Sequence, residues 1–264
     1  FLFLSIIIFI FFILQQKKGG KNLKRQSLLH GAFILGTVGF INRLIGFILR
    51  IILVKIIGDE GLGIFQMVYP FYVTLLLIST AGFPLAISKL IPEKNSNERK
   101  FHALHLLKIS LLFVSFTAGL TALITCKYAN FITASVLEDS RTYYTIIILA
   151  PALFITTIAS IFRSFFQGFQ NMIPTAISQL TEQISRFAAT LIILNIISSL
   201  SLSYKAAGIA FGIIIGEMAG LLFLLIYFVF WYNSIRKHIQ NSDKNYRIIN
   251  SYKKIAFLAL PITG

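Results

Sequence analysis

Six stretches of the chain, residues 30–57, 64–90, 103–126, 143–166, 173–200 and 206–231, are each long and predominantly apolar. A helix needs roughly 20 such residues to cross a hydrocarbon core about 30 Å thick, and all six exceed that. A soluble domain could not hide them: 56% of the chain is hydrophobic and only 12% charged, where about 45–50% and about 25% are usual. A bilayer accepts apolar side chains on the outside of a bundle as well as inside it. The sequence therefore predicts an all-α membrane protein. Two shorter apolar runs stand at the ends. FLFLSIIIFIFFIL (1–14) is too short at about 1.5 Å per residue to span, and IAFLALPITG opens at Ile255. A signal peptide carries its positive charges before the apolar run, whereas Lys17, Lys18, Lys21, Lys24 and Arg25 follow this one. The expected organisation is a leader and basic linker outside the core fold (1–24), a six-helix transmembrane lobe (25–232), a basic loop (233–254) and the start of a seventh helix (255–264). On this reading the chain is cut at both ends.

A formal net charge of +15 would suggest nucleic acid as the partner of a soluble protein. Position along the chain decides against that. With alternating helices, one side of the membrane receives the five linker positives, then Lys89, Lys94, Arg99 and Lys100, then Arg163, then Arg236, Lys237, Lys244, Arg247, Lys253 and Lys254. The other receives Asp59, Glu60, Lys127, Glu138, Asp139, Arg141 and Lys205. The positive-inside rule makes the first side cytoplasmic. Basic residues spread over four segments do not form one groove-fitting patch, so no nucleic-acid partner is expected; anionic lipid headgroups remain suitable partners.

Ionisable residues inside a span cost several kcal/mol and face a cavity or a partner helix by default. Arg43 and Arg50 lie seven residues apart in the first helix, on one face about 10 Å apart along the axis. A positive stripe of this kind suits a pyrophosphate or another anionic headgroup, which a guanidinium grips with two parallel hydrogen bonds. Snorkelling of Arg43 to the interface, or pairing with acids elsewhere in the bundle, fits equally. In the fifth helix Gln179, Glu182, Gln183 and Arg186 share a face, with Glu182 and Arg186 in the favourable i, i+4 order. That face either lines a hydrated cavity or ties the helix to its neighbours. Gly208, Gly212, Gly216 and Gly220 in the sixth helix form a ridge that admits a close neighbour. Beside it Glu217 is open to three readings: protonated and inert, paired with Arg43, Arg50 or Arg186, or a site of ion coupling. Pro70, Pro84 and Pro151 fall inside spans, as flexing points or fixed kinks.

Enzymatic chemistry is not indicated. Gly19-Gly20-Lys21 runs into Asn22 and makes no phosphate loop. The four histidines lack a metal-ligand pattern, and the single Cys126 excludes a disulfide framework or a cysteine-based zinc site. No cofactor or metal is expected.

The stretch SLLHGAFILGTVGFINRLIGFILRIILVKIIGDEGLGIFQMVYP, the following GFPLAISKLI, and RSFFQGFQNMIPTAISQLTEQISR resemble the stage V sporulation protein B family. That family is a polysaccharide-biosynthesis branch of the multidrug/oligosaccharidyl-lipid/polysaccharide exporter (MATE/MOP) superfamily, related to the lipid II flippases. The likeness runs from about Arg25 to the end of the chain and leaves 1–24 unexplained. It implies two pseudo-symmetric six-helix lobes that rock about a midplane cavity in alternating access. Only the N-terminal lobe and the start of helix 7 would be present here, and the missing C-terminal lobe of the same protein would be a partner. In the lipid II flippases a helix-one arginine before an LGF-like turn lies in the cavity. Arg43, followed by Leu44-Ile45-Gly46-Phe47, matches it; a second family arginine falls at Leu49, one residue before Arg50.

The resemblance thus implies a multi-pass cytoplasmic-membrane flippase for a lipid-linked oligosaccharide or peptidoglycan precursor, serving spore cortex or envelope synthesis. Two rivals stand beside it. A cation-coupled multidrug exporter of the same superfamily would want acidic rather than arginine-lined faces. A non-transporting scaffold for cell-wall enzymes would have its intramembrane charges mutually paired.

Overall fold

A computed structural model of the chain describes residues 28–80, 82–91 and 96–239. Residues 1–27 and 240–264, which hold the expected leader, most of the basic loop and the start of a seventh helix, lie outside the described residues. All regular structure among the described residues is helical: α1 (Leu28–Thr80), α2 (Phe83–Leu90), α3 (Ser96–Lys127), α4 (Tyr143–Gly168), α5 (Ile173–Ile196) and α6 (Leu202–Ile239). Between α3 and α4 the chain makes a short turn, Ala129–Phe131, a π-helical turn, Ile132–Val136, and a 3-10 turn, Ser140–Thr142.

Three helices are long and apolar enough to cross a membrane, over Ala103–Lys127, Ser140–Gly168 and Leu202–Ile235. The two limbs of α1, 28–57 and 59–80, and α5 also exceed about 30 Å at about 1.5 Å per residue. Large apolar side chains such as Phe33, Leu123 and Ile196 are more than 70% exposed on the bundle's outside. Lipid covers such a surface without cost; water would not. The chain is an all-α membrane protein.

The expected loop between the first two spans is a single residue. Gly58 has φ 71° and ψ 175°, a region essentially closed to residues with a Cβ. Helix resumes at once, and the two limbs of α1 fold back on each other with Leu49, Leu53 and Ile57 packed against Leu62. The second expected span is in turn divided. Gly82 takes φ 71° and α2 starts anew, so Pro84 stands in the first turn of a helix, where its missing N–H breaks no bond, rather than in mid-span. Pro70 and Pro151 are interior to α1 and α4.

α6 is the centre of the bundle, with α5 on one side and α4 on the other; α4 in turn carries α3. At the end bearing α2, Phe162, Phe165, Phe166, Phe169, Tyr227 and Trp231 form an aromatic core, with Phe165 edge-on to Trp231 at 5.2 Å. Nearer the other end, Val68 and Tyr72 of α1 pack on Ile146, Leu149 and Leu153 of α4, and the Tyr72 hydroxyl meets Thr156 Oγ1 at 2.9 Å. The Thr117 hydroxyl of α3 donates to the Ser79 carbonyl at 2.8 Å, satisfying one of the free carbonyls at the end of α1.

At the Gly58 end, Arg141 joins two loops. Its guanidinium bridges Asp139 and, across the bundle, Glu60 just past the α1 turn. This hydrogen-bonded arginine holds the Asp139 carboxyl below the usual carboxylate range. A carboxyl with a lowered folded pKa stabilises the fold above its unfolded value of about 3.9, and that contribution is lost as pH falls through the folded value.

Two outcomes follow from this end of the molecule. Gly58→Ala should destabilise the purified protein by about 1–3 kcal/mol, read as a lower melting temperature in detergent. Gly63→Ala is the control, since its Cβ would meet open space, and it should not lower stability; equal losses in the two would refute a backbone cause. Between pH 6 and pH 3 the wild-type melting temperature should fall further than that of Asp139→Asn, and parallel falls would show that the Arg141 clasp contributes nothing.

Candidate substrate cavity

The α4–α5 connection is tight. Pro174 sits in the first turn of α5, and the Asn171 side chain accepts a hydrogen bond from the Ile173 amide at 3.3 Å. The two helices consequently meet near this turn, and α6 fills the space between them further along. Arg163, six positions from the start of the turn, is brought beside the first three turns of α5. Its Nε donates to Ser178 Oγ at 3.1 Å and its Nη2 to Glu182 Oε2 at 2.7 Å. Counting Arg163 among the charges of the fourth-to-fifth loop is therefore corrected: it lies within α4 and points into the bundle.

The other carboxylate oxygen of Glu182 accepts from Arg186 one turn on. Glu217 of α6 completes the group, with Oε1 at 3.4 Å from Arg186 Nη2 and Oε2 at 3.9 Å from Arg163 Nη2. The four side chains are between 7% and 20% exposed, so two arginines and two glutamates form a charge-balanced quartet inside the bundle. Of the readings open for Glu217, pairing with Arg186 is the one the geometry displays.

The glycine ridge makes this meeting possible. A Cβ on Gly216 would lie 2.8 Å from both Arg186 Cβ and the Glu182 carbonyl, and one on Gly220 3.2 Å from Glu182 Cβ. A Cβ on Gly212 would collide with Thr190, and one on Gly208 would come within 2.7 Å of Ile197. Every ridge position thus faces α5, and the backbone of α6 runs against the polar face of its neighbour. Glu217 follows Gly216 directly and inherits that closeness.

Arg186 also reaches a second compartment. A cavity of about 330 Å³ lies between the two limbs of α1, α5 and α6. Its polar lining residues are Arg50, Gln66, Tyr69, Gln183, Arg186 and Thr190, and its apolar ones include Leu49, Leu53, Phe65, Ile209 and Ile213. Arg50 Nη2 donates to Gln66 Oε1 at 3.1 Å, a contact set up by the Gly58 turn because both residues lie eight positions from it. No carboxylate is among the described residues lining the cavity. Such a wall can hold an anionic group against the arginines and an apolar chain against the leucines and isoleucines.

Of the residues expected at a substrate cavity, Arg50, Gln183 and Arg186 line this cavity. Glu182 stands behind it within the quartet, Gln179 is half-buried on α5 away from it, and Glu217 is buried beyond Arg186. Arg43 is exposed on α1 and does not line the cavity. Arg163, Gln66 and Tyr69 had not been singled out. Arg163 was legible as a charge inside an apolar run; Gln66 and Tyr69 carry no signal until the α1 limbs are folded together. Among the described residues no cluster of histidine, cysteine or acid is suited to a metal ion.

Residues 28–255 match the family model described as polysaccharide biosynthesis protein. The chain belongs to that family. Relatives that this chain resembles include stage V sporulation protein B of Bacillus subtilis (strain 168), 31% identical over 241 residues, covering 91% of this chain and 46% of the relative. The lipid II flippase MurJ of the same organism is 31% identical over 245 residues, covering 88% of this chain and 44% of the relative. The uncharacterized membrane protein YabM, again from that organism, is 33% identical over 229 residues, covering 86% and 42%. The chain spans about half the length of these relatives. No solved structure matches it significantly. The resemblance to the stage V sporulation protein B family is thereby shown, and within the polysaccharide biosynthesis family this chain places an arginine-bearing cavity between α1, α5 and α6.

The glycine ridge supplies a test of the site's construction. Gly216→Val should force α5 from α6 and destabilise the protein by about 1–3 kcal/mol, the usual cost of overpacking, measured by thermal unfolding in detergent. Gly119→Val on α3, where a Cβ would touch nothing within 4 Å, is the comparison; a similar drop there would mean that the ridge is not specially close-packed.

Proposed function

We infer that this chain forms a lobe of a membrane flippase that moves a lipid-linked oligosaccharide or peptidoglycan precursor across the cytoplasmic membrane by alternating access. The observation that carries the reading is the cavity lining, which combines the guanidinium groups of Arg50 and Arg186 with apolar side chains. A lipid-linked phosphate or pyrophosphate has the same division into an anionic head and an apolar chain, and guanidinium groups bind phosphate with paired, charge-assisted hydrogen bonds. Family membership and a relative named lipid II flippase support it. Moving such a molecule breaks no covalent bond in it, in keeping with a non-enzymatic role. The remaining half of the relatives' length is where the opposing lobe would come from.

The excess of basic residues before α1, between α2 and α3 and after α6 supports a cytoplasmic placement for those segments. Relatives named for sporulation support a role in spore envelope synthesis. A cation-coupled drug exporter fits less well, because the charged groups on the cavity wall are arginines. The quartet is what a scaffold with mutually paired charges would show, but Arg50 lies outside it, and its hydrogen-bond partner among the described residues is the neutral amide of Gln66.

Arg50→Ala and Arg186→Ala in the intact protein, reconstituted in vesicles with a fluorescent lipid-linked pyrophosphate precursor, should each slow translocation about tenfold or more at normal abundance. That is the scale of one lost charged hydrogen bond. Unchanged flipping in both variants would sink the reading.

A further inference from the structure

The quartet behind the cavity wall has a role that the contacts of Arg186 alone do not supply. Arg186 faces two carboxylates, Glu182 and Glu217, with a single positive charge. Left alone, that trio would carry a net negative charge next to the cavity and would repel an anion. Arg163 is the residue that reverses this. It neutralises the trio from the far side, through Glu182 at 2.7 Å and Glu217 at 3.9 Å, without lining the cavity. Its position is fixed by Ser178, which accepts from its Nε, and Gly220 leaves room beside it, where any side chain would press on the Ser178 carbonyl and on Glu182.

We propose that Arg163 is a positioning residue for anion binding: by cancelling the second carboxylate of the quartet it leaves the charge of Arg186 available to a phosphate in the cavity. The inference rests on the anion-binding reading of the cavity and goes beyond it, since Arg163, Glu182 and Glu217 do not line the cavity. What counts is the sum of four charges. In a partly buried setting a unit charge acts over about 10 Å with an energy worth roughly tenfold in affinity. The prediction is therefore one of sign. Arg163→Gln makes the quartet negative and weakens anion binding, Glu217→Gln makes it positive and strengthens it, and the double variant restores balance. A purely structural quartet would behave otherwise, because each loss of a buried partner would loosen the site and no combination would tighten it.

The test is the affinity of the intact protein in lipid nanodiscs for geranyl pyrophosphate, a soluble probe with an anionic head and a short apolar chain, measured at pH 8. Arg163→Gln should bind about tenfold more weakly and Glu217→Gln about tenfold more tightly. The Arg163→Gln/Glu217→Gln double variant and Arg163→Lys should return to within about threefold of wild type. Weaker binding by Glu217→Gln, or a double variant worse than Arg163→Gln, would overturn the proposal. Should Arg163→Gln fail to accumulate, the direction of the Glu217→Gln effect decides by itself. No binding by wild type, or binding indifferent to Arg50→Ala and Arg186→Ala, would instead refute the anion-binding reading on which the proposal rests.

Discussion

Two arginines and two glutamates inside an apolar bundle are the constraint around which the rest is arranged. Each ion taken singly into so poor a solvent costs several kcal/mol even after relaxation, and the cost is recovered only where opposite charges meet with good geometry. Glu182 meets that requirement fully, with one oxygen for each arginine. Glu217 meets it more loosely, at 3.4 and 3.9 Å. Glu217 reaches Arg186 across the seam between α6 and α5, where helix axes usually stand 8–10 Å apart with side chains at the contact. The glycine at every fourth position removes those side chains, and the backbone of α6 comes within van der Waals reach of Glu182 and Arg186. The helix packing and the electrostatics are thus one feature.

The same arrangement decides where polar groups are left over. Pairing consumes Glu182, Arg163 and Glu217 within the bundle, while Arg186 stands at its edge, at the cavity shared with α1. The Gly58 turn then supplies the opposing wall by folding one limb of α1 onto the other, which brings Arg50 to Gln66. Each half of the cavity depends on a glycine contact of a different sort. At the α5–α6 seam the absence of a side chain permits approach; at Gly58 it permits a backbone conformation.

Much of this was written locally in the sequence. The polar face of α5 at i, i+3, i+4 and i+7 and the glycine ridge are periodic signals on a single helix and survive folding, whereas the apolar run 64–90 is divided at Gly82. What the sequence could not display were relations between helices. Arg163 sits near the end of an apolar run, where a count of loop charges sweeps it up; its place beside Glu182 depends on the tightness of the turn after Gly168. Gln66 and Tyr69 become wall residues only through the Gly58 reversal. Arg43 illustrates the converse. Its heptad spacing from Arg50 puts it on a similar face of α1, yet the cavity does not extend that far along the limb.

The two cavity arginines are not equivalent, and the difference follows from their partners. Arg186 donates to carboxylates, so its charge is offset within a few ångströms and is felt in the cavity only as far as Arg163 restores it. Arg50 donates to a neutral amide oxygen, which orients the guanidinium while leaving its full charge. On the anion-binding reading, the uncompensated positive charge at the cavity is that of Arg50, exposed on α1, and the quartet lies behind Arg186. A phosphate entering from the α1 side would meet the uncompensated charge first and the balanced one second. A site graded in this order would hold such a ligand without trapping it, because Arg186 already has Glu182 and Glu217 to return to when the ligand leaves.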